Sequence, residues 1–266
     1  SISDRMQVLM LDNANAYVAE LAVTNGSVSG SDHGGGVAFS SNNGGTMEHC
    51  LIAECEGNDA VSVMGTRSYL RRSIIRDNRC SGVKLWEGGK CESCLITENT
   101  ANYGAGVVMT ENSQGAGYLR NCTVIRNHGT STSGKYSGAG VYCGTTTGSP
   151  AKRYVYNCLI AGNTLASEVE DPPPGYPDIQ SDPKVMTVDH CYAATEIGED
   201  CVFGVDPRVR ANGRIAFGSP CCRKGVYQGW MEGQLDLFGN PRTDEDQGVD
   251  IGCCQSQPTG MMLLVR

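Results

Sequence analysis

The chain has 266 residues, with 21 Lys and Arg against 29 Asp and Glu, a net charge of −8 and a pI near 5.0. That balance argues against a nucleic-acid partner, which calls for a basic face, and no apolar run reaches the 18 residues a spanning helix needs. Thirty-five Gly with only 4 Phe and 2 Trp suit a turn-dense stack of small side chains, and 14 Cys point to an oxidising compartment.

In chain order, residues 1–33 read as a coil already under way. Residues 6–11 and 17–23 are strand patterns with no start signal before them, so earlier coils are expected to be missing from this piece. From there one short phrase recurs. It reads Cys94-Leu-Ile-Thr-Glu-Asn99, Cys122-Thr-Val-Ile-Arg-Asn127 and Cys158-Leu-Ile-Ala-Gly-Asn163, with weaker copies at Cys50-Leu-Ile-Ala-Glu-Cys55, Ser73-Ile-Ile-Arg-Asp-Asn78 and Glu20-Leu-Ala-Val-Thr-Asn25. Between sixth positions the intervals are 30, 23, 21, 28 and 36 residues, the signature of a solenoid.

Each phrase alternates with a small-residue-plus-apolar run, at Gly36-Val-Ala-Phe39, Ala60-Val-Ser-Val63, Gly82-Val-Lys-Leu85, Gly106-Val-Val-Met109 and Gly140-Val-Tyr-Cys143. Both halves are short, rich in Val, Ile and Leu, and bounded by turn residues, while no window sustains a helical period. Such units bury an inner face only by stacking, so the fold class is all-β, a parallel β-helix. Asn78, Asn99, Asn127 and Asn163 are expected to form a structural ladder, because Asn tolerates left-handed turns and its amide can bond the same residue one coil away. Cys94, Cys122 and Cys158, with Cys50, form an inner file of small apolar side chains. In the lone CxxC, Cys91 is assigned to the surface and Cys94 to the core.

The coils are placed in residues 1–165. A Pro-rich excursion occupies 166–184, since Glu168-Val-Glu-Asp-Pro-Pro-Pro cannot enter a strand ladder. Residues 185–257 hold the last coils and an irregular cap in which Asp236-Leu and Val249-Asp-Ile-Gly252 supply final pairing strands, and 258–266 are a tail. Adjacent Cys221-Cys222 and Cys253-Cys254 are expected to staple that cap with at least one disulfide, since neighbours in a strand face opposite ways.

The coil phrases Asn121-Cys-Thr-Val-Ile-Arg-Asn127 and Gly104-Ala-Gly-Val-Val108 resemble the repeats of large bacterial surface and secreted β-helix proteins. The ending, with Gly218-Ser-Pro220, Asp236-Leu-Phe-Gly-Asn-Pro-Arg242 and Val249-Asp-Ile-Gly252, is similar to the terminal section of β-helix proteins of the choice-of-anchor type, within the wider pectin-lyase-like superfamily. The resemblance spans residues 6–255 and implies a right-handed helix outside the cytoplasm. Where that ending usually carries Ala and an acidic or aromatic residue, this chain has Cys pairs and Gln255. The paired Asp, His-Gly and Arg-x-Lys marks of β-helical polygalacturonases are absent from the sequence.

Aligning the repeats puts Glu54, Asp77 and Glu98, then Arg126, in one column. Stacked about 4.8 Å apart, three carboxylates repel unless a cation compensates them, which makes them candidate Ca²⁺ ligands or, with Arg76, candidate catalytic groups. A solvated turn file neutralised by Arg72, Arg76 and Arg126 is the plain alternative. Lys84, Trp86 and Glu87 form a candidate sugar-contact patch, because an exposed indole stacks on a pyranose. Asp244, Asp246 and Asp250 read as an acidic turn, and His33, His49, His128 and His190 fall at unrelated positions that form no metal set by spacing. The expected function is an extracellular or cell-surface module with a structural, adhesive or glycan-binding role toward a polysaccharide or surface component. The alternative is a polysaccharide lyase or glycoside hydrolase working along an exposed sheet.

Overall fold

The computed structural model describes residues 7–28, 34–110, 116–131, 138–143, 152–166, 176–180, 185–242 and 248–256. Within them every sheet is parallel, and each of the first six passes of the chain leaves one strand in each of three sheets, the seventh in two. Sheet A stacks Leu9–Leu11, Val37–Phe39, Glu56–Met64, Arg79–Trp86, Val107–Met109, Val141–Cys143 and Ile179–Gln180. Sheet B stacks Tyr17–Ala19, Gly45–Glu48, Ser68–Arg71, Lys90–Glu92, Tyr118–Arg120, Arg153–Tyr156 and Met186–Asp189. Sheet C carries the repeated phrase, from Ala22–Thr24 through Leu51–Ala53, Ile74–Arg76, Leu95–Thr97 and Thr123–Ile125 to Leu159–Ala161. A short sheet D pairs Thr100–Ala101, His128–Gly129 and Thr164–Leu165 on the way back to sheet A. This is a parallel β-helix.

The core is a set of vertical files. Val37, Val61, Val83, Val107, Val141 and Ile179 stack on sheet A, Met47, Leu70, Cys91, Leu119, Val155 and Val188 on sheet B, and Ile52, Ile75, Ile96, Val124 and Ile160 on sheet C. Burying each such side chain contributes about 1.5–3 kcal/mol, and because the period-2 pattern fixes which residue points in, a one-residue slip would expose the whole file. Cys91 therefore belongs inside: it takes the sheet B core position and is fully buried, where the sequence reading put it on the surface.

Left-handed corners flank the phrase on both sides. Before it stand His49, Arg72, Ser93, Asn121, Asn157 and His190, and at its fifth position Glu54, Asp77, Glu98, Arg126 and Gly162, all at positive φ. The sixth-position Asn residues do not take the left-handed corner expected of them. The residue before each does, and this turns the Asn side chain inward. In the first coil the phrase is displaced by one, since Ala22 pairs with Leu51 and Asn25, at φ 59°, takes the corner itself. The pattern read as one strand at 17–23 is likewise split in two by a left-handed Glu20.

The inward amides form a continuous polarised ladder. Nδ2 of Asn78, Asn99 and Asn127 donates to Oδ1 of Asn99, Asn127 and Asn163 at 2.8, 2.9 and 2.9 Å, and Nδ2 of Asn163 donates to Oδ1 of Asp178 at 2.9 Å. Each of these acceptor oxygens also takes the backbone N–H of the residue one coil earlier, at 3.0–3.2 Å. The glycines of the sheet A runs face this ladder. A Cβ on Gly82, Gly106 or Gly140 would lie 2.9, 3.0 or 2.7 Å from Nδ2 of Asn99, Asn127 or Asn163. Their φ values are ordinary, so it is space rather than conformation that demands Gly. A Cβ at Gly140 would also meet the Asp178 carbonyl oxygen at 2.4 Å. Gly140→Ala is expected to cost about 1–3 kcal/mol through this overlap, read as a lower urea midpoint at unchanged slope; wild-type stability would contradict the packing.

At the first corner a second file runs Cys50, Ser73, Cys94, Cys122, Cys158, Cys191 and Cys201. Backbone N–H groups of Ser73, Cys94, Cys158 and Cys191 point at the sulfur one coil on, at 3.3–3.5 Å, and Ser73 Oγ takes the same part for Cys50 at 3.1 Å. Thiols of Cys94, Cys122, Cys158 and Cys191 donate to the carbonyl two residues back. Small hydrogen-bonding side chains are what this corner requires.

The terminal section does not close the solenoid as pairing strands. Its only β contacts among the described residues are isolated bridges, Val209 to Ile215, Gly225 to Val249 and Leu235 to Pro241 within it, and two from a further partial coil, Glu199 to Asp189 and Val202 to Tyr192. It runs back along the outer face of sheet C as a strap. Arg242 Nη2 donates to Ser93 Oγ at 3.1 Å, Cys253 N to Thr123 Oγ1 at 2.9 Å, and Asn157 exchanges two bonds of 2.8 Å with Val226. Leu95, Ile125 and Leu159 of sheet C join Cys221, Leu237, Ile251, Cys253 and Cys254 in a second apolar cluster beneath it. All fourteen cysteines stand as thiols, Cys221-Cys222 and Cys253-Cys254 included.

Candidate functional site

The acidic column lies where the alignment puts it. Glu54, Asp77 and Glu98 are successive exposed corner residues. Arg76 forms an ion pair with its neighbour Asp77, and Arg126 lies 3.9 Å from Glu98. Arg72 belongs to the other corner, 2.7 Å from Glu48. The three carboxylates do not converge as a ligand set; among the described residues the group whose ligand atoms do is Asp189, His190 and Asp200. Asp250 is committed to backbone, accepting from Arg223 at 2.7 Å and Ser256 at 2.5 Å. Asp244 and Asp246 lie outside the described residues, as does His33.

The second sequence candidate is assembled on the outer side of sheet A. Val83 and Leu85 point in, so Lys84 and Trp86 point out on the same strand, and Lys84 Nζ lies 5.1 Å from the Trp86 ring centroid. Glu87 occupies the left-handed corner that follows. Lys84 also lines a partly open cleft of about 310 Å³ between sheet A and the segment leaving sheet D. Asn58, Asp59, Arg79, Ser81, Asn102 and Tyr103 contribute the polar and aromatic walls. Trp86 and Glu87 are outside that lining.

Local sequence explains the cleft. Sheet A has two long strands, Glu56–Met64 and Arg79–Trp86, and the register shifts between Arg79 and Ser81. The irregularity brings Asp59 and Ser81, both nearly buried, up to the cleft floor. Asp59 accepts from Ser62 Oγ, while Tyr103 stays 46% exposed with its ring 5.2 Å from that of Tyr142. Burial pushes the Cys80 thiol well up, so the one sulfur in the lining is no thiolate nucleophile at neutral pH.

No protein-family model, curated protein or solved structure matches the chain. Asp59, Arg79 and Tyr103 escaped the sequence reading because they lie outside the repeated phrases. A further outer face was also missed. On sheet B, Tyr118 stacks on Tyr154 at 5.1 Å, Arg120 lies 4.1 Å over Tyr118 and 5.0 Å over Trp230 of the strap, and Arg71 pairs with Glu92 at 2.8 Å. Its signal was present in the alternation of Ser68-Tyr-Leu-Arg71, Tyr118-Leu-Arg120 and Tyr154-Val-Tyr156.

Proposed function

We propose that this chain is a glycan-binding β-helix module of the cell surface or secreted space, holding an acidic saccharide in the cleft over sheet A. The observation that carries the reading is the lining itself. Two cations, Arg79 and Lys84, stand with the amides of Asn58 and Asn102 and the exposed ring of Tyr103 around a volume of about 310 Å³. Amide and charged groups that bond hydroxyls and carboxylates, beside a ring on which a pyranose stacks, are the chemistry of sugar recognition. The extracellular placement is supported by the likeness of the coil phrases and the ending to surface β-helix proteins of the choice-of-anchor type.

Among the described residues of the lining Asp59 is the only carboxylate, and it accepts from Ser62. The described lining offers Lys84 and Arg79 as bases for a lyase rather than a carboxylate pair for hydrolysis, so a lyase is the enzymatic alternative. Affinity electrophoresis against acidic and neutral polysaccharides, with assay for new chain ends, separates these readings. Retention on acidic polymers without cleavage is expected, weakened about tenfold or more in Lys84→Ala, as for loss of a charge-assisted hydrogen bond. Cleavage that Lys84→Ala abolishes would establish the lyase. Neither retention nor cleavage across the panel would leave a spacer or adhesin scaffold.

A further inference from the structure

The corner before the repeated phrase changes character at the last coil. Asn121 and Asn157 occupy it in the two coils before, and there it becomes His190, in the same left-handed conformation at φ 48°. His49 holds the same position near the other end, so these two histidines share a corner file after all. Next to it, the outward sheet B residue that is Arg120 and then Tyr156 becomes Asp189. In the partial coil that follows, Glu199 bridges Asp189 and its carbonyl accepts the His190 N–H at 3.1 Å, which sets the left-handed Asp200 directly beyond the imidazole.

The resulting geometry is that of a metal-binding histidine with its supporting carboxylate. Nδ1 of His190 lies 2.7 Å from Asp189 Oδ1, which holds the ring and leaves Nε2 as the outward lone pair. Nε2 faces Asp200 Oδ2 at 4.0 Å. Two ligands each about 2.0–2.1 Å from one divalent ion are slightly closer than that. The gap closes by rotation of Asp200, whose side chain is 79% exposed, while His190 and Asp189 are three-quarters buried and fixed. Ligand atoms of all three residues lie within 4.8 Å of one another.

We infer that Asp189, His190 and Asp200 form a binding site for a divalent first-row transition ion such as zinc. His190 Nε2 and Asp200 bind the ion, Asp189 orients the imidazole, and solvent completes the coordination. Imidazole with carboxylate selects such ions over calcium, which prefers an all-oxygen shell. The site stands on the corner between sheets B and C, a different edge of the coil from the sheet A cleft, and does not depend on the glycan reading.

The test is a titration of the folded protein with Co²⁺, followed by visible absorption, then competition with Zn²⁺ and Ca²⁺. One equivalent is expected to bind at sub-millimolar concentration with no thiolate-to-cobalt charge-transfer band, Zn²⁺ displacing it and Ca²⁺ not. His190→Asn keeps the side chain that the same corner carries in the two preceding coils, so it preserves the fold and should abolish binding. Asp189→Asn should weaken it about tenfold or more, as for other outer-shell partners. Absence of binding, a thiolate band, or affinity unchanged in folded His190→Asn would each overturn the assignment.

Discussion

Asn127→Leu is expected to lower the stability of the fold by about 4–6 kcal/mol, because it cuts the amide ladder in its middle. Oδ1 of Asn127 accepts the backbone N–H of Asn99 at 3.1 Å and its Nδ2 at 2.9 Å, while Nδ2 of Asn127 serves the carbonyls of Ile96 and Ile125 at 3.1 Å and Oδ1 of Asn163 at 2.9 Å. All these residues are buried to within 3% of full burial, so water cannot replace the lost partner. Leu has nearly the shape of Asn and restores none of the bonds, and each orphaned buried group costs about 1–3 kcal/mol. A loss of this size is comparable to the whole stability of many domains. The comparison is Asn25→Ala, at an exposed corner of the first coil. Urea unfolding of both variants should give a large drop in midpoint for the first and a small one for the second. Equal shifts would mean that the ladder is incidental to the stacking of coils.

The second large effect is a pH dependence at the end of that ladder. Asp178 has only acceptors to offer once ionised, and it closes the run by taking two bonds from Asn163 and one from Ala194 N at 3.3 Å. Burial nevertheless dominates and raises its carboxyl to about 6 against the hydrogen bonds that favour the anion. The folded protein thus holds the proton more tightly than the unfolded chain. Asp178 favours folding most below pH ~4, and that contribution is lost as pH rises through 6. A shift of about two pH units corresponds to about 3 kcal/mol. In Asp178→Asn the contribution is absent at every pH. The stability of this variant relative to wild type should therefore rise by about 3 kcal/mol between pH 3 and pH 7, measured by urea unfolding at a series of pH values. A difference that does not change with pH would contradict the raised carboxyl.

These two residues also mark how far the sequence could be read. The Cys-to-Asn phrase announced the solenoid because a stack repeats one local solution, and its period, its small-residue runs and the inward Asn and Cys files are local properties. The corner was misplaced by one residue because Asn is at home both in a left-handed turn and in a buried ladder. The Glu, Asp or Arg before it gave no such hint. Asp178 was invisible, since it ends the ladder from within 166–184, the segment read as a Pro-rich excursion, just before the sheet A strand Ile179–Gln180. Of the cleft lining, Lys84 was visible as an outward strand position, whereas Asp59 and Tyr103 reach the cleft through a register shift and a turn. The strap was read as a terminal cap because its anchors span the chain. Arg242 meets Ser93, 149 residues away, and Cys253 meets Thr123, 130 away, and such contacts leave no periodic trace.

The glycan reading rests on where a ligand sits, and one experiment places it. Isotope-labelled protein would be titrated with uronic-acid oligosaccharides while backbone amide shifts are followed. Saturable changes confined to Asn58, Asp59, Ser81, Lys84 and the Ala101 to Tyr103 turn, without new chain ends in the sugar, are the expected result. Saturable shifts centred instead on the Tyr118 and Tyr154 face of sheet B, or no shifts at millimolar sugar, would contradict the assignment of this cleft as a saccharide site.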